Sequence, residues 1–351
     1  MRALTVRPGE KGSLELRELP EPTPEEGPVL VDGLAVGLCG TDREIVAAQY
    51  GEAPEGSGFL VLGHENLGRV LDTPAGAELA VGDLVVGIVR RPDPVPCGAC
   101  AVGEWDMCRN GRYTEHGIKG RHGFGRERWR AEVDAVVRLD PTLSDVGVLL
   151  EPTTIVAKAW EQIERIGGRA YFAPKVVAVT GAGPVGLLAA LLGVQRGLDV
   201  HVFDIVTEGP KPDLVHSLGA TYHTEPLSQV SLAPDITVEC TGVASVVLDA
   251  ITRDANDGIT CLTGVSNVGH NMPVDLGGLN REVVLRNDVV FGSVNANARH
   301  YRQAAQALAD ADRGWLTRLI TRRVPLARFA EAFQPQPGDV KVVLELAGNS
   351  A

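Results

Sequence analysis

The segment that most restricts what this chain can fold into is Gly181-Ala182-Gly183-Pro184-Val185-Gly186, because of what flanks it. A β-branched run at 175–180 precedes it and an apolar, helix-forming run at 184–196 follows. Between a strand and a helix the three glycines have separate uses. Gly181 permits the tight turn, Gly183 lets backbone approach a pyrophosphate, and Gly186 lets the helix pack closely on the strand. The helix then begins with unpaired N–H groups facing the phosphates. The next strand, 199–204, ends in Asp204, 18 residues beyond Gly186. A carboxylate there accepts the adenosine ribose hydroxyls, and its charge repels a 2′-phosphate. Gly181, Gly183, Pro184, Val185, Gly186 and Asp204 are therefore the expected cofactor contacts, with NAD favoured over NADP.

The strand and helix alternation continues through 212–218, 235–239, 244–250, 258–264 and 289–294, which implies βαβ units and a parallel sheet with helices on both faces. Up to about residue 140 the texture differs. Short β-rich runs at 14–17, 29–36, 68–71, 84–89 and 133–139 are separated by Gly and Pro, as in an irregular, mostly β domain. After Asn295 come a helix at 299–309 and a strand at 341–346. A length of 351 residues suits two such domains. Lys+Arg total 33 against 45 Asp+Glu, a net charge of −12, which disfavours nucleic acid and anionic lipid as partners. No run approaches the roughly 18 apolar residues of a membrane span, and the N-terminus lacks a signal-peptide core, so the expected location is the cytoplasm.

Cys39-Gly40-Thr41-Asp42, Gly63-His64-Glu65 and Glu151-Pro152 together offer a thiolate, an imidazole and carboxylates. That donor set suits a catalytic zinc that keeps a position open for substrate. Such an ion acts as a Lewis acid on an alcohol oxygen, and a dinucleotide accepts the departing hydride. Cys97, Cys100 and Cys108 form a second group, whose spacing suggests a structural zinc with Asp93 as the nearest fourth donor; the alternative is a lobe without metal. Cys240 and Cys261 lie in strand-like stretches and read as buried thiols.

At these residues the chain resembles the zinc-dependent medium-chain dehydrogenases, and within them the archaeal-type glucose 1-dehydrogenases. The narrower likeness rests on Cys39 to Ile45, Val89-Arg90-Arg91-Pro92, Glu115-His116-Gly117-Ile118, Glu151-Pro152, Arg281 to Leu285 and Gly292-Ser293-Val294-Asn295. It implies a GroES-like catalytic domain from residues 1–150 and 295–351, with a doubly wound Rossmann domain inserted at 151–294. It also implies Cys39 and His64 as zinc ligands, Glu65 and Glu151 as exchanging carboxylates, and Thr41 as the hydroxyl that begins a proton relay. Asn295 is implied at the cofactor, and Glu115, Glu151 and His300 near sugar hydroxyls. The implied reaction is oxidation of a sugar or cyclitol hydroxyl, glucose or a related aldose giving the lactone, in a homodimer or homotetramer.

Two departures bear on the substrate. Val89 and Ile155 stand where sugar-active relatives can carry Asn and Asp, which points to a different sugar, a deoxy or amino sugar, or a cyclitol. The alternatives are a dehydrogenase of aliphatic alcohols or secondary metabolites, and a redox-inactive dinucleotide-binding protein. His116, His122, His201, His216, His223 and His270 read as structural or surface residues.

Overall fold

Strand β1 (Val29–Leu38) buries alternate residues at its start and both faces at its end, so its first half lines one core and its last four residues lie inside the protein. It is the organising strand of the first of two compact units in a computed structural model that describes residues 1–266 and 272–346. The units are Met1–Glu151 with Ala296–Ala351, and Pro152–Asn295. His270 lies outside the described residues.

In the first unit β1 is joined by β2 (Glu65–Asp72), β3 (Leu84–Gly87), β4 (Arg128–Ala131) and β5 (Val136–Arg138). The second unit supplies β6 (Val176–Thr180), β7 (Asp199–Phe203), β8 (Thr221–His223), β9 (Ile236–Glu239), β10 (Ile259–Leu262) and β11 (Val289–Gly292). The chain then returns to the first unit with β12 (Ile320–Pro325) and β13 (Lys341–Glu345). The first sheet runs β5-β3-β2-β1-β13-β12, with β4 also paired to β1. Its register decides where the chemistry falls. Gly37 on β1 lies opposite Glu65 on β2 and Val343 on β13, while Leu38 lies opposite Val342. Cys39, Glu65 and Lys341 thus meet where three strand ends converge. Beneath them, Val31, Val85, Phe124 and Trp129 pack as one core, and Leu4, Val36, Leu62 and Leu344 belong to another.

The second unit is a parallel sheet in the order β8-β7-β6-β9-β10-β11. Counted within the unit this is 3-2-1-4-5-6, the doubly wound order that binds dinucleotides where the strand order reverses. The helix after β6, Pro184–Gln195, is buried from Gly186 to Gly193, so its uniformly apolar sequence reflects burial on all sides. Mostly β and doubly wound α/β units are the fold class read from the sequence.

Some elements differ from the sequence reading. The run at 133–139 is a 3-10 turn, Val133–Ala135, followed by the short β5. A helix at Leu276–Arg286 has no clear sequence signal, because Gly277 and Gly278 depress helix propensity. Asp275 compensates, its carboxylate accepting the Gly278 amide at 2.9 Å, and Asn287 ends the helix in a left-handed conformation. No described helix is long and apolar enough to cross a membrane.

Candidate active site

Cys39 follows β1 and caps the short helix α1 (Gly40–Val46). Its amide donates to Asp42 Oδ2 at 3.0 Å, the relation of a capping residue to the third helical position. Asp42 is fully buried, with its other oxygen 3.5 Å from His64 Nδ1. That leaves His64 Nε2 directed at Cys39 Sγ, 3.1 Å away. Cys39, His64 and Glu65 present sulfur, nitrogen and oxygen within 4.8 Å of one another. A carboxylate behind a ligating imidazole fixes its tautomer and orientation, so these residues fit a catalytic zinc. Burial alone would raise the Asp42 carboxyl, but the His64 imidazole and the Cys39 amide outweigh it and hold the pKa below the usual range. Burial would likewise lower His64, yet the Cys39 sulfur and Asp42 raise it well above the ordinary imidazole value.

Glu65 does not stand alone. Lys341 Nζ donates to its Oε1 at 2.7 Å and Oε2 at 2.5 Å, and to the Leu38 carbonyl at 3.1 Å. Both side chains are about 1–2% exposed. Gly37 makes the room, since a Cβ there would lie 2.1 Å from Glu65 Oε2. Thr41 sits half-buried in the first turn of α1. Glu151 is buried, and burial together with the nearby Glu65 carboxylate pushes its carboxyl up to about 7, against a lowering by His64. It stands outside the Cys39, His64 and Glu65 group. Sequence reasoning missed Asp42, Lys341 and Gly37. Only Asp42 left a signal, its i,i+3 spacing from Cys39.

Among the residues expected near a sugar, Glu115 is already engaged. Arg90 donates to its Oε1 from Nε at 3.1 Å and Nη2 at 3.0 Å, and the guanidinium lies 3.5 Å from the centre of the Tyr113 ring. The segment around it packs on the residue before His64, since a Cβ at Gly117 would lie 2.7 Å from the Gly63 carbonyl oxygen. His300 is fully buried, its Nδ1 accepting the Asn297 amide at 3.1 Å. The Val89 amide donates to Tyr301 Oη at 3.1 Å. Ile155 is half-buried in the other unit.

The sulfurs of Cys97, Cys100 and Cys108 converge within 4.8 Å, but Asp93 is not part of that group. Its Oδ1 accepts the Val95 amide at 2.8 Å, which ties the carboxylate to its own turn. Asp93 Oδ2 is nonetheless buried without a hydrogen-bond partner. The three thiols are the donors that converge in this lobe, and the Asp93 carboxylate stands outside them. Cys261 is fully buried, and Cys240 accepts a hydrogen bond from Thr263 Oγ1 at 3.3 Å.

In the second unit the fingerprint adopts the expected turn. Gly181 has φ +89°, and a Cβ at Gly186 would lie 1.8 Å from the Gly181 carbonyl oxygen. At Gly183 a built Cβ would meet nothing within 4 Å beyond its own chain neighbours, which leaves open the approach a phosphate needs. Pro184 opens the helix and Val185 follows it, half-buried. Asp204 directly follows β7, beside a cavity of about 590 Å³ lined in part by Phe203, Thr224, Pro226, Leu227 and Val243. Its Oδ2 accepts the Ala182 amide at 2.7 Å and Lys211 Nζ at 2.8 Å, and its Oδ1 accepts the Val206 amide at 3.0 Å. Burial opposes ionisation, but Lys211 and these amides prevail and hold the carboxyl below its usual pKa. Lys211 was missed by sequence reasoning. Asn295 has a left-handed backbone, φ +64°.

The family described as glucose dehydrogenase C-terminus matches residues 144–346, and the alcohol dehydrogenase GroES-like domain matches residues 25–141. The chain is 38% identical to glucose 1-dehydrogenase of Methanocella arvoryzae and 40% identical to that of Thermoproteus tenax, each over 99% of both chains. Haloferax mediterranei glucose dehydrogenase, solved in complex with NADP, Zn and gluconolactone, is similar with a TM-score of 0.91 at 32% identity, covering 99% of this chain and 100% of that one.

Proposed function

The chain belongs to the glucose dehydrogenase family of zinc-dependent medium-chain dehydrogenases, and from that premise we propose that it oxidises a hydroxyl of a sugar or cyclitol, an aldose such as glucose giving its lactone, with NAD as the preferred acceptor. The observation that carries this is the Cys39, His64 and Glu65 cluster with Asp42 and Lys341 behind it. Zinc bound through Cys39 and His64, with Glu65 or Glu151 as carboxylate, supplies the Lewis acidity that eases loss of the hydroxyl proton. The dinucleotide supplies the hydride acceptor. Asp42 keeps His64 Nε2 turned toward the thiol, Lys341 holds Glu65 in place, and the Thr41 hydroxyl passes the substrate proton toward solvent. Glu115 braced by Arg90, together with His300, meets the remaining hydroxyls. Apolar Val89 favours a sugar with fewer hydroxyls to match, since an unmatched hydroxyl costs about 1–3 kcal/mol.

The cofactor preference rests on Asp204, which binds ribose hydroxyls and opposes a 2′-phosphate. Lys211, 2.8 Å away, offsets part of that charge, so NADP remains a slower substrate. We assign the catalytic site to the unit of residues 1–151 with 296–351, and the cofactor to residues 152–295. A zinc ion in the three-cysteine lobe belongs to the same reading. So does a second copy of the chain, paired along β11, an edge strand near which Leu276, Val284 and Leu285 are 63–71% exposed. A reducing, cytoplasmic setting keeps Cys39, Cys97, Cys100 and Cys108 available as ligands. The deciding experiment is a panel of aldoses, cyclitols and simple alcohols with NAD and NADP, alongside zinc analysis of the wild type, Cys39→Ala and His64→Ala. Turnover on a polyol that disappears with the zinc supports the reading. Near-normal turnover by either variant without zinc refutes it.

A further inference from the structure

Asp204 directly after β7 and the glycine turn after β6 place the adenosine and pyrophosphate over one half of the cofactor sheet. A dinucleotide crosses at the point of strand reversal, here between β6 and β9, so its nicotinamide end falls over the carboxyl ends of β9, β10 and β11. At the end of β11 the Ser293 amide donates to the Leu262 carbonyl at 2.9 Å, carrying the ladder one residue beyond the strand. Two residues later Asn295 turns the chain with its left-handed backbone. Between them the Val294 carbonyl accepts Lys158 Nζ at 2.8 Å.

Lys158 comes from α2 (Leu150–Gly167) and is only 2% exposed. A buried ammonium is costly unless it is well held, and one of the bonds that hold this one reaches the main chain of a turn. Ser293 is 6% exposed, and its hydroxyl oxygen is buried without a hydrogen-bond partner. Buried hydroxyls are normally paired, so this one points to a missing ligand group. We propose that Lys158 is a positioning residue for the nicotinamide: it fixes the turn at 293–295 so that the Ser293 hydroxyl hydrogen-bonds the carboxamide. This rests on the dinucleotide reading above and adds two residues to it.

The test separates the two ends of the cofactor. Dissociation constants for NADH, by fluorescence titration, and for ADP-ribose, by calorimetry, are measured on wild type, Lys158→Met, Lys158→Arg and Ser293→Ala. ADP-ribose has the adenosine and pyrophosphate but no nicotinamide. Lys158→Met is expected to weaken NADH at least tenfold and ADP-ribose less than twofold, with Lys158→Arg between it and wild type. Ser293→Ala is expected to weaken NADH about fivefold, spare ADP-ribose, and lower kcat while leaving KM for the sugar within twofold. Equal losses for both ligands in Lys158→Met, or NADH binding unchanged in Ser293→Ala, would overturn the proposal. If Lys158→Met does not fold, Ser293→Ala decides alone. A wild-type protein that binds neither ligand would instead remove the dinucleotide reading on which the proposal stands.

Discussion

Replacing Lys341 by Met tests whether the buried charge behind the Cys39, His64 and Glu65 cluster is a structural necessity. Lys341 and Glu65 are about 1–2% exposed, and the ammonium reaches both carboxylate oxygens and the Leu38 carbonyl. Removing one partner of such a pair leaves the other buried without compensation, which costs about 3–5 kcal/mol. For a unit of about 200 residues, each kcal/mol moves the midpoint by roughly 2–4 °C, so Lys341→Met should unfold roughly 6–20 °C below wild type. Glu65→Gln alone should lose a comparable amount, because it strands the ammonium instead. The double variant has no stranded charge and should lose much less than the sum, with a coupling of about 2–3 kcal/mol. Thermal and urea unfolding of the four proteins, followed by both circular dichroism and tryptophan fluorescence, measures this. If Lys341→Met lies within about 1 kcal/mol of wild type, or the two losses simply add, the pair is not the brace described above.

Other perturbations probe separate parts of the molecule. Asp204→Asn removes the acid and leaves Lys211 to meet a 2′-phosphate, so the ratio of kcat/KM for NAD over NADP should fall at least about tenfold in steady-state assays. Gly37→Ala places a Cβ 2.1 Å from Glu65 Oε2, and should lower zinc content and turnover while leaving the dissociation constant for ADP-ribose unchanged. Burial pushes the Asp254 carboxyl up to about 7 from 3.8, against hydrogen bonds from Thr237 and Thr260. The folded state therefore binds more protons than the unfolded one between these values, and stability falls by up to about 4 kcal/mol as pH climbs from 4 to 7. Asp254→Asn should flatten that slope in urea titrations at several pH values. Charge at the apolar edge, as in Leu285→Glu, should shift light scattering toward the monomer.

The parts of this molecule that were legible in its sequence are those whose meaning is local. The glycine turn could be read because each glycine answers a constraint set within six residues, and the doubly wound order follows from the alternation after it. That Cys39 and His64 belong together could be read because few residue types ligate zinc, and the fold does bring them together. Lys341 could not, since it lies 276 residues from Glu65 and reaches it only through the antiparallel register of β13 on β1. In isolation it is the first residue of an ordinary apolar strand. Gly37 is equally silent until Glu65 is seen opposite it on β2. Asp204 shows the same limit from the other side, for its position suggests a ribose contact, but the lysine seven residues on that tempers its charge depends on how the following helix folds back. Ligand chemistry is thus written in residue types, whereas the groups that aim and charge-balance the ligands are written in strand register and helix placement. Substitutions at Lys341, Gly37 and Lys158 are for that reason the sharper tests of this structure, because residue type alone predicts none of their effects.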